Sequence, residues 1–322
     1  MPSTDTLIPK KSETMRFRDN SLPLEIDAAS LRRQDLLCLS MYYLGFSRIR
    51  NLLFRLFKIP VTKILAFHDV PDYMVTDFRS KIEVLKEQAN IISLDDFFSG
   101  KISWRKINIV ITFDDGYRSW LDRVHPILRD LGVTATFFVS SGFVGRSEVE
   151  ETNFLRNNLK SSRRSTGCLG FDGPRKLAEG GFTIGGHTSN HANLADFCDI
   201  NELRSEIQKD KSELERMTGV KVNYFAYPFG FHRNADIDLQ QVLQDCGYLG
   251  AVTIEPGFNR ARTNRFLLRR DLVDASLPLS VFKARFLGNQ DPVILIRRFL
   301  SRLKSRSGAG VVLNASRDRS SL

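Results

Sequence analysis

The sequence predicts an α/β fold in which strands and helices alternate around a largely parallel sheet. Segments with strand composition and segments with helical periodicity alternate about six or seven times along the chain. One strand, Ile107–Phe113, is rich in Val, Ile and Phe, which is typical of a strand covered on both faces. Polar residues follow the ends of several strands, and parallel sheets bind ligands at the carboxyl ends of their strands. These observations indicate a sheet that is either doubly wound or closed as a barrel.

The first 60 residues predict a polar arm followed by a helical extension. Residues 1–29 are polar, with Pro, Ser and Thr scattered among them, and predict a disordered arm. Residues 30–60 show helical periodicity, and an apolar stripe that includes Ile49, Leu52 and Leu56 is flanked by arginines. A basic amphipathic helix of this kind either lies on a membrane surface or packs on the domain with its arginines in water. We favour the second interpretation.

The predicted core domain spans residues 61–290 and contains the alternating elements. Short runs rich in β-branched and aromatic residues predict its strands, and apolar residues at helical spacing predict its helices. Gly219 and Gly247 stand where two of the helices should end. Residues 145–173, rich in Ser, Arg, Asn and Gly, predict a flexible insertion. The predicted strands are 63–67, 91–94, 107–113, 134–140, 182–186, 222–226, 248–253 and 266–273, and the predicted helices are 76–89, 118–131, 201–217 and 236–246.

The composition limits the class of protein. With 322 residues, of which 42% are hydrophobic, the chain is long enough for one large α/β domain with extensions. The four cysteines form no CxxC pair, which argues against a disulfide framework or a cysteine zinc site and favours a reducing compartment. The net charge of +10 is concentrated at the two ends, and residues 291–322 predict a basic helix and tail. The sequence has none of the signatures of nucleic-acid-binding modules, so we expect no nucleic-acid partner.

No part of the sequence predicts a secretory signal or a membrane span. The amino terminus lacks an apolar core followed by a small-residue cleavage site. The longest apolar run, Leu36–Phe46, is interrupted by Ser40 and Gly45 and is far shorter than the roughly 20 residues that cross a bilayer. We therefore expect a cytoplasmic protein, or one held peripherally on the inner face of the membrane. The sequence does not determine its oligomeric state.

Two adjacent carboxylates, Asp114 and Asp115, follow the apolar strand and precede Gly116. Asp and Gly are ordinary turn residues, so the pair could belong to a turn that caps the next helix. The same position is also where parallel sheets place catalytic groups. The strand alone leaves both interpretations open.

Two histidines, His187 and His191, follow a later strand at a spacing of four residues. On a helical turn this spacing places both side chains on one face, where they can bind one metal ion; a purely structural pair is the alternative. Two imidazoles with one carboxylate suit Zn²⁺, Co²⁺, Ni²⁺ or Fe²⁺ and leave positions open for water and substrate. Asp114 and Asp115 supply two carboxylates, of which one can bind the metal while the other takes a proton from metal-bound water.

Three motifs in this order resemble the first three motifs of the polysaccharide deacetylases, the NodB-homology domain of carbohydrate esterase family 4. They are Thr112-Phe-Asp-Asp-Gly116, His187-Thr-Ser-Asn-His191 and Phe225-Ala-Tyr-Pro-Phe-Gly230, and the resemblance covers about residues 61–275. It implies a distorted (β/α)7-type barrel. It also implies a hydrolase that uses a divalent metal, with Zn²⁺ favoured, to remove acetyl groups from N-acetylated sugars of a carbohydrate substrate.

The resemblance also implies a role for each residue of these motifs. Asp114 would be the general base, and Asp115, His187 and His191 would hold the metal. The loop made of Tyr227, Pro228, Phe229 and Gly230 would form a wall of the sugar groove. The backbone N–H near Phe229 would help to stabilise the oxyanion.

The sequence departs from most of the family at two places. Ala226 stands where most members have an arginine, and the late Leu-x-His motif that supplies the general acid is missing. Both departures resemble the subgroup that deacetylates poly-N-acetylglucosamine and related exopolysaccharides, in which an early strand ends in Tyr-His-x-Val. Residues 66–70 match that pattern with Phe in place of Tyr, which implies that His68 is the general acid; a turn or helix-capping histidine is the alternative. Asp69 would support His68 by keeping its pKa raised.

The missing arginine has two candidate replacements near the end of the domain. Arg270 aligns best with a subgroup arginine that orients the base carboxylate, and Arg269 is the alternative. Two other functions stay open: deacylation or deformylation of a lipid-linked sugar at the membrane, and carbohydrate binding by a pseudoenzyme. Peripheral membrane contact through the basic amphipathic segments Ile49–Lys58 and Val293–Arg306 favours the first of these slightly.

Overall fold

The computed structural model of the protein describes residues 33–161, 165–231 and 236–292. The predicted arm at 1–29 lies outside the described residues, as does the predicted basic helix and tail from residue 293 onward. Across the three described ranges, no helix combines the length and the apolar character needed to cross a membrane. The predicted helical extension at 30–60 is confirmed as two helices that precede the first strand.

The described chain contains eight strands and ten α-helices in an alternating order. Several strands are shorter than the sequence predicts, because only part of each apolar run pairs with its neighbours. The strands are β1 (Thr62–Phe67), β2 (Asn90–Ile91), β3 (Asn108–Asp115), β4 (Thr136–Val139), β5 (Thr183–Gly186), β6 (Tyr224–Ala226), β7 (Gly250–Val252) and β8 (Asp271–Leu272). The helices are α1 (Arg33–Tyr43), α2 (Phe46–Leu56), α3 (Val75–Gln88), α4 (Leu94–Phe98), α5 (His125–Asp130), α6 (Glu148–Asn157), α7 (Gly173–Glu179), α8 (Ile200–Thr218), α9 (Leu239–Asp245) and α10 (Leu279–Phe286).

The strands form one parallel sheet that curls into a distorted barrel, as the sequence predicts. Its order is β7-β6-β5-β4-β3-β1-β8, with β2 added beside the start of β3. The chain before β8 also pairs with β7, through the N–H of Leu268 to the carbonyl of Ala251 and the N–H of Thr253 to the carbonyl of Leu268. Since β8 itself pairs with β1, this segment links the two edges of the sheet.

The alternation of side chains along β3 decides which residues point into the barrel. Ile109, Ile111 and Phe113 pack against the outer helices in the larger apolar core. Val110 faces the other way, into a smaller cluster built largely from strand residues. Asp114 is four residues further along the strand and therefore shares this inner face.

The segment predicted as a flexible insertion differs from that prediction. Residues 148–157 form α6, which begins with a capping box between Ser147 and Glu150 and buries Phe154 and Leu155. The Ser-x-x-Glu pattern that marks its start is visible in the sequence. The composition of the surrounding segment, rich in Ser, Arg and Asn, obscures it.

Candidate active site

The carboxylate of Asp114 is held by a buried arginine. Both terminal guanidinium nitrogens of Arg270 donate to it, each over 2.7 Å. Arg270 also donates to the hydroxyl of Thr112 and to the carbonyl of Thr253, and it is completely buried. Burial raises the pKa of Asp114, but Arg270 and His187 lower it by more, so that the pKa lies below its ordinary value. Asp114 is therefore a carboxylate at neutral pH.

The fold explains why this arginine comes from late in the chain. Ala226 leaves no side chain long enough to reach Asp114 from β6, whereas the segment that closes the barrel carries Arg270 into its interior. Arg269, the alternative in the sequence, is half-buried and its N–H hydrogen-bonds the side chain of Asn259. The structure thus identifies Arg270 as the partner of Asp114.

Asp115 and the two histidines meet beside this ion pair. Oδ1 of Asp115 lies 3.5 Å from Nε2 of His187 and 3.4 Å from Nε2 of His191. All three side chains are buried, and one ligand atom from each lies within 4.8 Å of the others. These are the three residues that the sequence predicts as metal ligands.

The second nitrogen of each histidine shows what the site can hold. Nδ1 of His187 lies 2.7 Å from the carbonyl of Ala226, and Nδ1 of His191 lies 3.3 Å from the carbonyl of Asn158. A carbonyl only accepts, so both Nδ1 atoms carry protons, and in the neutral form of each ring Nε2 directs its electron pair toward Asp115. Burial and the neighbouring charge of His187 lower the pKa of His191 to about 4, which keeps this ring neutral at pH 7. Three electron-pair donors that converge on one point can share a cation, so the donor set fits a divalent metal.

The site is built on unusual backbone geometry. Four of the six non-glycine residues with positive φ in the described chain belong to it: Asp115, Thr188, His191 and Phe229. The predicted helical turn at residues 187–191 is wrong, since φ is 58° at Thr188 and 51° at His191. A tight turn with left-handed residues brings the two rings to a centroid distance of 4.8 Å instead. Such conformations persist where the surroundings enforce them and are common at functional sites.

Comparison with known proteins agrees with this geometry. Residues 102–251 match the sequence model of the polysaccharide deacetylases. This part of the chain is therefore similar to a polysaccharide deacetylase domain. A poly-β-1,6-N-acetyl-D-glucosamine N-deacetylase of Staphylococcus epidermidis is 25% identical over 198 residues, which cover 58% of this chain and 64% of that protein. An uncharacterised Bacillus subtilis protein, YlxY, is 29% identical over 120 residues, which cover 37% of this chain and 30% of that protein.

The same fold occurs in solved structures. IcaB from Ammonifex degensii superposes with a TM-score of 0.57 at 20% identity, covering 71% of this chain and 97% of that one. The deacetylase domain of BpsB from Bordetella bronchiseptica gives a TM-score of 0.52 at 21% identity, covering 66% of this chain and 96% of that one. At this identity the likeness establishes the fold, and the predicted barrel of the deacetylase family is confirmed. The two curated relatives are matched over less than two thirds of their own lengths.

A residue that the sequence analysis missed holds the backbone of the candidate site. Asp210, in the middle of α8, accepts the N–H of His187 and the N–H of Ser141, each over 2.9 Å. It ties the ends of β4 and β5 together from the outside of the barrel. The signal is present in the sequence, because Asp210 occupies a place in the apolar stripe that runs through Ile207 and Leu214.

Tyr117 is a second residue that the sequence analysis missed. Its buried phenol lies next to the carboxylate of Asp115. Burial, followed by the neighbouring charge of Asp115, raises the pKa of Tyr117 well above its ordinary value. The phenol therefore stays protonated and can donate to Asp115. No pattern in the sequence singles this tyrosine out.

His68 and Asp69 follow β1 at the same end of the barrel. His68 is exposed, and it lies near enough to the carboxylate pair to help lower the pKa values of Asp114 and Asp115. Asp69 accepts hydrogen bonds from the hydroxyls of Ser119 and Thr166. The carboxylate thereby anchors the loop that contains Thr166, and its predicted support of His68 stays a prediction.

In the third motif, Tyr227–Gly230, only the side chain of Phe229 is exposed at the candidate site. Tyr227, Pro228 and Gly230 are buried, so a groove wall at this loop can use their backbone only. Phe229 is 36% exposed, and its ring lies edge-on to His191 at a centroid distance of 4.5 Å. The predicted role of its backbone N–H stays a prediction.

Proposed function

We propose that the protein is a metal-dependent hydrolase that removes acetyl groups from N-acetylated sugars of a polysaccharide or oligosaccharide. One observation carries this proposal: a carboxylate locked in its ionised form by Arg270 stands beside a buried three-ligand cluster at the same end of the barrel. A pure carbohydrate binder needs neither a metal cluster nor a second carboxylate beside it. The deacetylase family match and the activity named for the Staphylococcus epidermidis relative support the same reaction class.

Asp115, His187 and His191 would hold the metal. When bound, a divalent ion supplies a Lewis acid that polarises the acyl carbonyl and lowers the pKa of a coordinated water. Two imidazoles and one carboxylate suit Zn²⁺ best, and Co²⁺, Ni²⁺ and Fe²⁺ are the alternatives.

The remaining residues divide the proton transfers between them. Asp114 takes a proton from the attacking water, and Arg270 fixes the orientation of its carboxylate. The C–N bond of the amide then breaks, and His68 gives a proton to the leaving amine, so that acetate and a free amino sugar result. Phe229 covers one side of His191 and would contact the sugar ring.

Acetate release from N-acetylglucosamine oligomers tests this function. We expect the protein to bind about one metal ion per chain, to lose acetate release on treatment with a chelator and to regain it with Zn²⁺ or Co²⁺. His191→Ala should lose both metal and activity, because the cluster then has only two ligands. His125→Ala is the matched control, since His125 packs against Phe182, away from the metal cluster. Full activity after complete metal removal, or metal binding without acetate release from any acetylated sugar, would refute the proposal.

Asp210 is expected to position the metal site at some cost in stability. Burial raises its pKa to about 6, although hydrogen bonds from Ser141 and His187 oppose the shift. At pH 7 the buried charge therefore costs about 3 kcal/mol relative to the unfolded chain. Asp210→Asn removes that charge and loses at most one acceptor, which costs about 1–3 kcal/mol, so the free energy of unfolding should change little.

The metal site should respond to the same substitution far more strongly. The N–H groups of Ser141 and His187 bind different oxygens of Asp210, and in Asp210→Asn one of these oxygens becomes an NH2 group that cannot accept. We therefore expect metal affinity to fall about 10–100-fold. Glu202→Gln is the matched control, because it makes the same change on an exposed position of α8. Metal titration and urea unfolding of both variants separate the two effects. Unchanged metal affinity in Asp210→Asn would show that the aspartate is structural only.

A further inference from the structure

Helices α1 and α2 expose an unusual amount of apolar surface. Of the 20 large hydrophobic residues that are exposed in the described chain, ten lie between residues 36 and 57. Single exposed leucines are ordinary on a protein surface, whereas a contiguous group of them marks a surface that another apolar phase covers.

The apolar residues of α2 lie opposite the residues that attach it to the domain. Ser47 is buried and Phe54 is partly buried, whereas Ile49, Leu52 and Leu56 are 63%, 56% and 67% exposed. At about 100° per residue, these three lie on the side of the helix that faces away from Ser47 and Phe54. We call Ile49, Leu52, Leu53 and Leu56 the exposed stripe. Helix α2 therefore packs on the domain, as the favoured interpretation of the sequence expects, but it does so through Ser47, Arg50 and Phe54 and not through the exposed stripe.

The orientation of α2 is fixed by an arginine on its inner side. The guanidinium of Arg50 donates to the carbonyls of Leu287 and Gly288, and it stacks 4.8 Å above the ring of Phe258. Phe54 packs edge-on against the same ring. These contacts hold the exposed stripe outward.

The charge around the exposed stripe indicates what covers it. Residues 46–58 contain four basic residues and no acidic one. Arg48, Arg55 and Lys58 are exposed, and Lys58 lies 5.8 Å from the ring centroid of Trp104, which is 39% exposed. Leucines bordered by basic residues and an amphipathic tryptophan are the composition of a helix that lies in the interface of an anionic bilayer.

This surface lies at the end of the barrel opposite the active site. Phe54 and Arg55 of α2 line a small cavity of about 50 Å³ together with Trp104, Val61 and Ile107. Val61 and Ile107 immediately precede β1 and β3, so α2 covers the amino-terminal ends of these strands.

The length of β3 separates the two ends. Asp114 and Asp115 end β3, and its eight residues span roughly 26 Å. Groups at the amino-terminal end of this strand and groups at its carboxyl end therefore face opposite sides of the domain.

We propose that the exposed stripe and its basic border dock this protein on an anionic lipid bilayer, with the active site facing away from the lipid. The orientation of the docked protein depends on the proposed function in one respect: the proposed function identifies the carboxyl ends of the strands as the active site. A docked enzyme would act on a glycan that extends into water. It would not reach the sugar head group of a lipid in the same bilayer, which is the substrate of the lipid-linked alternative.

Vesicle sedimentation of the full chain tests the docking. We expect the protein to sediment with vesicles that contain phosphatidylglycerol and to bind phosphatidylcholine vesicles far less, with a binding that weakens as salt rises. The affinity of the double variant Leu52→Ser, Leu56→Ser for phosphatidylglycerol vesicles should fall by about tenfold or more. The double variant Val149→Ser, Leu249→Ser is the matched control, because these two residues are also exposed, at 73% and 48%, but lie outside α1 and α2.

Two results would overturn the docking proposal. One is equal binding of the wild type and the Leu52→Ser, Leu56→Ser variant to phosphatidylglycerol vesicles. The other is that the protein does not bind the vesicles at all. In that case the stripe is covered either by a second copy of the chain, which a stripe-dependent dimer would reveal, or by residues 293–322. Acetate release from soluble oligomers by the stripe variant should equal that of the wild type, so a failure of docking is distinguishable from a failure of the proposed function.

The two tryptophans of the sequence test the orientation. Trp104 lies at the proposed lipid surface, whereas Trp120 is completely buried and donates to the carbonyl of His68 near the active site. Brominated phosphatidylglycerol in the vesicles should quench the emission of Trp104, and the quenching should be lost in Trp104→Phe. Quenching that persists in Trp104→Phe would place the active-site end against the lipid and overturn the orientation.

Discussion

Asp114→Asn is expected to lower the turnover number for acetate release by about 10²–10⁴-fold while the protein retains its metal. An amide of the same shape cannot take a proton from water. The three proposed metal ligands, Asp115, His187 and His191, are untouched by the change. The Michaelis constant should change little, because the loss concerns the transition state rather than substrate binding.

The measurement needs a control for folding, because Asp114→Asn leaves Arg270 charged and buried. Neutralising one partner of a buried pair costs about 3–5 kcal/mol, so activity must be measured well below the temperature at which the variant unfolds. Metal content and circular dichroism of the same preparation establish that the site is loaded and the chain folded. If a folded, metal-loaded variant keeps wild-type turnover, another group is the base.

The sequence predicts the fold and the main residues of the site because both depend on local patterns. The apolar run of β3 and the polar residues after the strands mark the barrel and the end that carries the candidate site, and the spacing of His187 and His191 marks the proposed pair of metal ligands. The sequence predicts that pair for a wrong reason, since the turn that joins the two histidines is left-handed rather than helical. The pairing of the rings depends on positive φ at Thr188 and His191, which the packing around the turn imposes.

Other features depend on contacts between distant parts of the chain. Asp210 accepts the N–H of His187 from a helix that starts thirteen residues after that histidine. Its place in an apolar stripe is the only signal in the sequence that this aspartate is buried. The outward direction of the exposed stripe could not be predicted either. An amphipathic pattern gives the faces of a helix, but the contacts of Arg50 with Leu287 and Gly288 decide which face meets the domain.

Arg270→Met should destabilise the barrel strongly. Removal of the guanidinium leaves the Asp114 carboxylate buried without its main partner, and we expect the free energy of unfolding to fall by about 3–5 kcal/mol. Arg269→Met is the matched control, because it makes the same substitution one residue earlier, where the side chain does not touch Asp114. Urea unfolding of both variants at pH 7 measures the difference.

A pH profile separates a positioning role of Arg270 from a purely structural one. Burial already raises the pKa of Asp114, and the arginine is the largest influence that lowers it. Without Arg270 the pKa of Asp114 rises, so the carboxylate is protonated at higher pH. The acidic limb of the activity profile of Arg270→Met should therefore move to higher pH, whereas a loss of stability alone would lower activity at every pH without moving the limb.

The double variant Asp114→Asn, Arg270→Met tests the contribution of the ion pair itself. Each single change leaves a buried charge without its partner, whereas the double change removes both charges. A buried ion pair can often be replaced by neutral groups at little net cost, so the double variant should be more stable than either single variant. It should nevertheless be as inactive as Asp114→Asn, because the carboxylate that accepts the proton is absent. If the two losses of stability were simply additive, the ion pair between Asp114 and Arg270 would contribute nothing to the fold. Its presence at the centre of the barrel would then have to be explained by catalysis alone.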